Sequence, residues 1–490
     1  MIIQRKNKIL VIFIVLFFFL LYNLQSVVNH YLFRTNALDY GFHLQAFWHF
    51  IHFTSGPLTV FGHTITSFFQ IHPSFTLVYL TPLCYLLKPV LGSYTLIIVQ
   101  NIFIIIGGIY TYKVLLYKSN NYLISVIAIL HYFLLWGHYS AIAFEYIDAT
   151  VAATFIPVFF YYFYKSKYFY AGLAFVFTLT SRENMPIWFI FIGLFFAIEY
   201  FKTDKIKFKL SLGIITISLV YLVFIFSVLF PFFADDTYTY NRFQYSQLGS
   251  NIPEVLKYIV LHPISTIKLL FVNHLGNSVY DGIKIEFWTV FMLSGGIILF
   301  LKPKYFLIFI PLIGQKLFSD DYQMWGINIF YSIEIVSVLT IASYLIIIKF
   351  KNYKITYIIS FLLLLSTFVT TITMMNHRKS KWYNSSKEKI YTASFYKSDL
   401  NIKEVYSTLK LIPDDAAVCA GEKLVAHLSF RDKIYYFPNI NDSEYIVLLL
   451  KGSTYPLKID EFNQKVSQLL SSNKWEILTK TSDIILLRKK

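Results

Sequence analysis

The sequence predicts an all-α polytopic membrane protein with about 11 transmembrane helices, followed by a small C-terminal α/β domain on the outer face. Three observations carry this expectation. The 490-residue chain is 56% apolar and 20% aromatic, and only 14% of it is charged. Average soluble chains carry about 25% charged residues, so this one has too little polar surface to cover soluble domains of its length. Apolar runs recur throughout residues 1–375. After Met375 the pattern changes: residues 376–490 hold 19 Lys and Arg and 13 Asp and Glu, and apolar and polar residues alternate. The net charge of +16 reads as cytoplasmic loop charge and not as a nucleic-acid surface. Two cysteines, Cys84 and Cys419, exclude a disulfide framework.

The first element is the apolar run 9–28, preceded by the basic Gln4-Arg5-Lys6-Asn7-Lys8. About 20 residues suffice to cross a hydrocarbon core of ~30 Å. No small-residue cleavage site follows, so the run is read as a retained helix with its N-terminus in the cytoplasm. Further spans are expected at 94–116, 122–141, 150–164, 168–180, 186–200, 210–230, 287–301, 305–318, 327–348 and 355–375. Segment 74–87 is apolar but short and contains Pro82. If it crossed, the lysines of every later short loop would face outward. If it lies along the membrane surface, Lys113, Lys118, Lys165, Lys167, Lys202, Lys205, Lys207, Lys209, Lys302, Lys304, Lys349, Lys351 and Lys354 gather on the inner side. Glu145, Asp148, Arg182, Glu183, Asp235, Asp236, Asp281, Glu286, Asp320 and Asp321 then gather outside. The second arrangement is adopted.

Two outer segments are long. Residues 29–73 form the first outer loop, in which the aromatic stretch from His43 to Phe53 is expected to lie as an interfacial helix. Residues 231–284 form the second, with Asp235-Asp236-Thr237-Tyr238 and an apolar helix near 255–271. In the tail, 416–420, 434–437 and 445–450 read as strands and 462–471 as a helix. Residues 475–479 and 484–487 read as a terminal hairpin.

Ionisable groups at membrane depth are costly unless paired or wetted, so they mark candidate functional sites. Asp39, Glu145, Asp148, Arg182 and Glu183 all fall on the expected outer boundary. The plainer alternative is that they are acids of solvated loops. Half of the twelve histidines lie between His30 and His72. His49 and His52, three apart, could share a metal, although an aromatic amphipathic helix explains them as well. His72-Pro73 stands where the chain returns to the membrane. There is no Walker loop, GxSxG, HExxH or paired CxxC, which leaves nucleotide hydrolysis and serine-hydrolase chemistry without support.

The stretch Leu38-Asp39-Tyr40-Gly41-Phe42-His43-Leu44-Gln45-Ala46-Phe47-Trp48 resembles the D-x-G-x-x-x-Q-A-x-W motif of the DUF2079 family of bacterial and archaeal membrane proteins. Ile71-His72-Pro73-Ser74 is similar to its H-F-S-P segment, Phe144-Glu145-Tyr146-Ile147-Asp148 to its F-D-F-H-P-E loop, and Arg182-Glu183-Asn184 to its K-E-D. The tail segments Ile412-Pro413-Asp414-Asp415, His427-Leu428-Ser429-Phe430-Arg431 and Ile434-Tyr435-Tyr436-Phe437-Pro438 also resemble the family.

The resemblance implies a GT-C-like architecture. It also implies transfer of a sugar from a polyprenyl-phosphate donor to a glycan, lipid or protein acceptor on the outer face of the bacterial cytoplasmic membrane. Asp39, Glu145 and Asp148 would be catalytic, and Arg182, Glu183, His72 and Gln45 would bind substrate. A divalent cation, Mg or Mn, would be the cofactor, and nucleic acid is not a partner. The chain departs from the family pattern where the His-Pro is missing, where Asn184 replaces an acid, and where Ile327-Asn328-Ile329-Phe330-Tyr331 lacks a His. These departures leave open the metal and the activity itself. A transporter or flippase of lipid-linked substrate, favoured by Glu334 inside a span, and a non-catalytic assembly factor are the alternatives.

Overall fold

The computed structural model describes residues 2–62, 65–234, 243–380 and 383–490, with side chains from Lys8 onward. The N-terminal basic side chains up to Asn7, together with His63, Asp235, Asp236, Thr237 and Tyr238, lie outside the described residues. Helices of seven residues or more are labelled in chain order. They are α1 (Ile2–Tyr31), α2 (Phe42–Ile51), α3 (Thr76–Leu91), α4 (Thr95–Ser119), α5 (Tyr122–Leu134), α6 (Trp136–Phe144), α7 (Asp148–Thr154), α8 (Ile156–Tyr164), α9 (Tyr168–Leu179) and α10 (Met185–Tyr200). They continue with α11 (Lys205–Phe224), α12 (Ile252–Leu261), α13 (Pro263–Leu269), α14 (Ile283–Leu293), α15 (Ile310–Leu317), α16 (Ile333–Ile347), α17 (Tyr353–Asn376), α18 (Ile402–Leu409) and α19 (Ile459–Ser471).

Among the described residues, five helical stretches are long and apolar enough to cross a membrane: Lys8–Tyr31, Thr76–Ser119, Tyr122–Phe144, Lys205–Phe233 and Tyr353–Asn376. Tyr168–Leu179, Met185–Tyr200 and Ile333–Ile347 are shorter apolar helices. Several of the eleven expected spans are thus not single continuous helices. The run 150–164 is divided between α7 and α8 at Phe155, and Pro157 opens the second piece. The runs 287–301 and 305–318 change from α-helix to 3-10 segments at Gly296–Leu301 and Pro303–Ile308. The break has a local cause. Gly295 takes φ +121, and a Cβ there would stand 2.7 Å from Ser343 Oγ of α16, so only glycine lets the chain turn this close to its neighbour.

The exposed side chains of α1, α11 and α17, such as Phe13, Leu20, Val220, Val223, Phe361 and Leu362, are apolar, as expected of helices facing lipid. The lysine end of the bundle is also assembled. Lys118 Nζ stands 3.8 Å over the Tyr164 ring and Lys113 4.3 Å over that of Tyr110, while Lys207 donates to Tyr164 O at 3.2 Å.

The tail carries a five-stranded sheet: β1 (Val418–Ala420), β2 (Ile434–Tyr436), β3 (Tyr445–Leu449), β4 (Trp475–Lys480) and β5 (Ile484–Lys489), in the order β2-β1-β3-β5-β4. β1 pairs in parallel with β2 and β3, and β5 runs antiparallel to β3 and β4. Period-two alternation divides its faces. Cys419, Tyr435, Ile446, Leu448, Ile485 and Leu487 pack against Phe462 of α19. Val418, Ala420, Ile434, Tyr436, Val447, Leu449, Ile484 and Leu486 share a core with Tyr40, Phe47, Val60 and Phe68 of the first outer loop.

That shared core changes the reading of α2. Its expected place was the lipid interface, yet Gln45 and Phe47 are 0% exposed and His43 2%. The tail covers it: Trp48 Nε1 donates to Asp432 Oδ1 at 2.9 Å, and Gln45 Nε2 donates to Asp432 O at 3.1 Å. The aromatic character that suggested a headgroup layer serves an internal interface.

Candidate functional site

The site begins where α1 ends. A π-turn over Ala37–Gly41 carries Asp39 into α2. A Cβ on Gly41 would lie 2.8 Å from Val425 Cγ1, so the glycine admits the tail to this turn. Glu145, between α6 and α7, fixes the turn from below. Its Oε1 accepts from Asn36 N at 2.8 Å and Asn36 Nδ2 at 2.6 Å, and its Oε2 accepts from Tyr40 N at 2.9 Å. Gln100 holds the Glu145 segment in turn, donating to Glu145 O at 2.9 Å and accepting from Ile147 N at 2.8 Å. Burial pushes the Glu145 carboxyl up, and Lys387 counteracts it. Glu145 is built as an anchor for the Asp39 turn.

Asp39 is different. Among the described residues its carboxylate receives no hydrogen bond. Desolvation pushes its pKa up to about 6 against the opposing pull of Lys387 and Lys423. Both lysines come from the tail. Lys423, just after β1, donates to Asn36 Oδ1 and pairs with Glu422 at 3.4 Å. Lys387 Nζ stands 3.9 Å from Glu145 Oε1, and burial lowers its pKa to about 8. Sequence reasoning missed both lysines. The available signal was indirect: Gln25, Asn29 and Arg34 are polar groups at the end of a span, and each needs a partner.

A second group lies alongside. Arg182 Nη2 donates to His72 Nε2 at 3.3 Å, which fixes the tautomer so that His72 Nδ1–H donates to Glu183, 3.1 Å from Oε1. The guanidinium sits 5.3 Å over the Phe330 ring. Glu334, in the first turn of α16, is buried and faces Arg182 and Lys316. Asp148 accepts from Ser74 Oγ at 2.6 Å and from Tyr146 OH at 2.7 Å, pinning the return loop to α7.

His43 links the two groups. Its Nδ1–H donates to Asp39 O at 2.7 Å, and its ring meets Tyr146 edge-on at 5.2 Å. Burial lowers its pKa, and the nearby charges are Asp148 and Arg182.

Asp39, Glu145, Asp148, Arg182, Glu183 and His72 are thus neighbours. Gln45 is not among them: it donates to Thr59 Oγ1 at 2.7 Å and joins α2 to the tail. His49 and His52 do not converge, since His49 Nε2–H donates to Pro57 O and His52 Nδ1–H to Trp48 O.

The residues present do not fit a divalent cation. No group of three or more His, Cys, Asp or Glu among the described residues is placed to hold one. The oxygens of Glu145 and Asp148 accept from N–H and O–H donors, and an ammonium faces both Asp39 and Glu145.

A family profile described as a predicted membrane protein, DUF2079, matches residues 29–486, nearly the whole chain. The chain belongs to the DUF2079 family. No curated protein matches it. In this DUF2079 protein the matched region takes in both the bundle and the tail, the two parts that meet at Asp39. What the arrangement offers chemically is a proton acceptor and a cation side by side, both withdrawn from bulk water.

Proposed function

We propose that this DUF2079 protein is a GT-C-type membrane glycosyltransferase that moves a sugar from a polyprenyl-phosphate donor to a hydroxyl acceptor on the outer face of the bacterial cytoplasmic membrane. In this reading the N-terminus is cytoplasmic, residues 1–375 form the transmembrane domain, and residues 376–490 form an extracytoplasmic domain. α3 lies along the surface, and the lysine-bearing loops at the far end of α4 face inward.

The observation that carries the proposal is the Asp39 carboxylate. It is free of hydrogen bonds among the described residues, its pKa is raised to about 6, and it lies on a rigidly held turn. A general base works best when its pKa lies near the operating pH. Asp39 takes the proton of the acceptor hydroxyl as that oxygen bonds to the anomeric carbon. The bond from that carbon to the donor phosphate breaks, and its electron pair leaves with the phosphate oxygen. Glu145 and Asp148 are positioning residues: one holds the Asp39 turn and the other holds the return loop. Arg182, oriented by His72 and Glu183, supplies positive charge on the donor side.

The test is Asp39→Asn at matched expression, with transfer to cell-surface glycan or protein as the readout. Unchanged transfer sinks the catalytic assignment. The transporter reading leaned on an acid deep in a span, and Glu334 beside Arg182 at a helix start gives it little support.

A further inference from the structure

We propose that Lys387 is the residue that receives the donor's phosphate at this site, in the place of a divalent metal ion. The proposal rests on the transferase reading above and names the group that meets the leaving phosphate.

The backbone around Lys387 is held from several directions. Gln25 and Asn29 of α1 donate to Lys387 O at 3.2 and 2.9 Å. Arg34 donates to the carbonyls of Ser386, Phe395 and Lys397, and the adjacent Glu388 pairs with Arg378. The side chain is left unengaged by this clamp. Its exposure is 16%, and among the described residues its ammonium donates no hydrogen bond. The nearest carboxylate, Glu145 at 3.9 Å, already accepts three N–H groups. An ammonium carries three donors, and in a water-poor site unmatched donors favour an anion that can accept them.

The other cations already make hydrogen bonds to the protein, unlike Lys387. Lys423 donates to Asn36, and Arg182 donates to His72 while stacked on Phe330. Asp39 and Lys387 are therefore two opposite charges that feel each other, each without a hydrogen bond among the described residues. As the bond from the sugar's anomeric carbon to phosphate breaks, the electron pair settles on the phosphate oxygen, and the Lys387 ammonium donates to it. The acceptor's proton goes to Asp39. Atoms and charge balance without a metal.

The experiment uses the full chain purified in detergent, with binding of a polyprenyl phosphate and of inorganic phosphate measured separately in EDTA. Lys387→Met is expected to weaken polyprenyl-phosphate binding at least about tenfold, while Lys387→Arg stays within about threefold of the wild type. Thermal unfolding of each variant separates lost binding from lost folding. Unchanged binding by Lys387→Met overturns the proposal. So does a loss confined to inorganic phosphate, and so does wild-type binding that disappears in EDTA and returns with magnesium. If Lys387→Met loses the lipid phosphate but no transfer is ever detected, the phosphate site stands and the transferase reading fails. If Asp39→Asn abolishes transfer while Lys387→Met binds normally, the transferase reading stands and the Lys387 assignment fails.

Discussion

At His72, Arg182 and Glu183 every charged or ring group has a partner within hydrogen-bond reach, and Asp148 next to them has both oxygens accepting. At Asp39 and Lys387, a short distance away across His43, neither charged head donates or accepts a hydrogen bond among the described residues. Burial has moved both pKa values toward neutrality, one up to about 6 and the other down to about 8. A group whose members are hydrogen-bonded to one another is held in place, and Arg182 there lends its charge to the donor side from a fixed position. A pair without hydrogen bonds retains capacity for a ligand and for a proton, and here the backbone on either side of it is held by other groups.

The largest effect that could break this contrast is expected at Asp39. Asp39→Asn should cut transfer by about 10²–10⁴-fold, the usual worth of a general base, with an unaltered melting curve. A comparable loss of stability would make Asp39 scaffold instead. Glu145→Ala should do the reverse, lowering stability by about 3 kcal/mol because three N–H groups lose a buried acceptor; thermal unfolding in detergent reads this directly.

The pH profile of transfer should sharpen the comparison further. Asp39 must be ionised to accept a proton, so the rate falls about tenfold per unit as pH drops below about 6. Lys387 must be protonated to donate, so the rate falls again above about 8. Lys387→Arg should abolish the alkaline limb and leave the acid one. Ser74→Ala should give the smallest effect, about 1 kcal/mol for one hydrogen bond to Asp148, with the pH limbs unmoved.

What the sequence made legible follows the range of the interactions involved. The tail strands were readable almost to the residue, because a short apolar run such as Val418, Cys419 and Ala420 is a local signal. Tyr445–Leu449 and the terminal hairpin are equally local. The neighbourhood of Asp39, Glu145, Asp148, Arg182 and His72 was approachable from loop charge alone, since membrane topology sorts charges by side. What escaped depends on partners far beyond a local window, most of them hundreds of positions away. Gln45 looked like a substrate ligand, but it is bonded to Asp432. The α2 aromatics looked lipid-facing, but they meet Phe430. Lys387 looked like any tail lysine. The divided spans around Gly295 needed knowledge of Ser343, which no window of local hydropathy contains.

The Arg34 clamp bears on how the protein is made. Arg34 emerges early in synthesis, and the carbonyls it binds belong to residues 386–397, more than 350 positions later. Until the last quarter of the chain arrives, the first outer loop waits with a guanidinium lacking its acceptors and an apolar face lacking its cover. The bundle can insert span by span, but the Asp39 turn meets its tail partners only when translation is nearly done. A nascent chain stopped before Ser386 would therefore carry Asp39 without Lys387 and Lys423, the lysines that act on it. It would also leave uncovered the apolar face of the first outer loop that packs on the tail sheet.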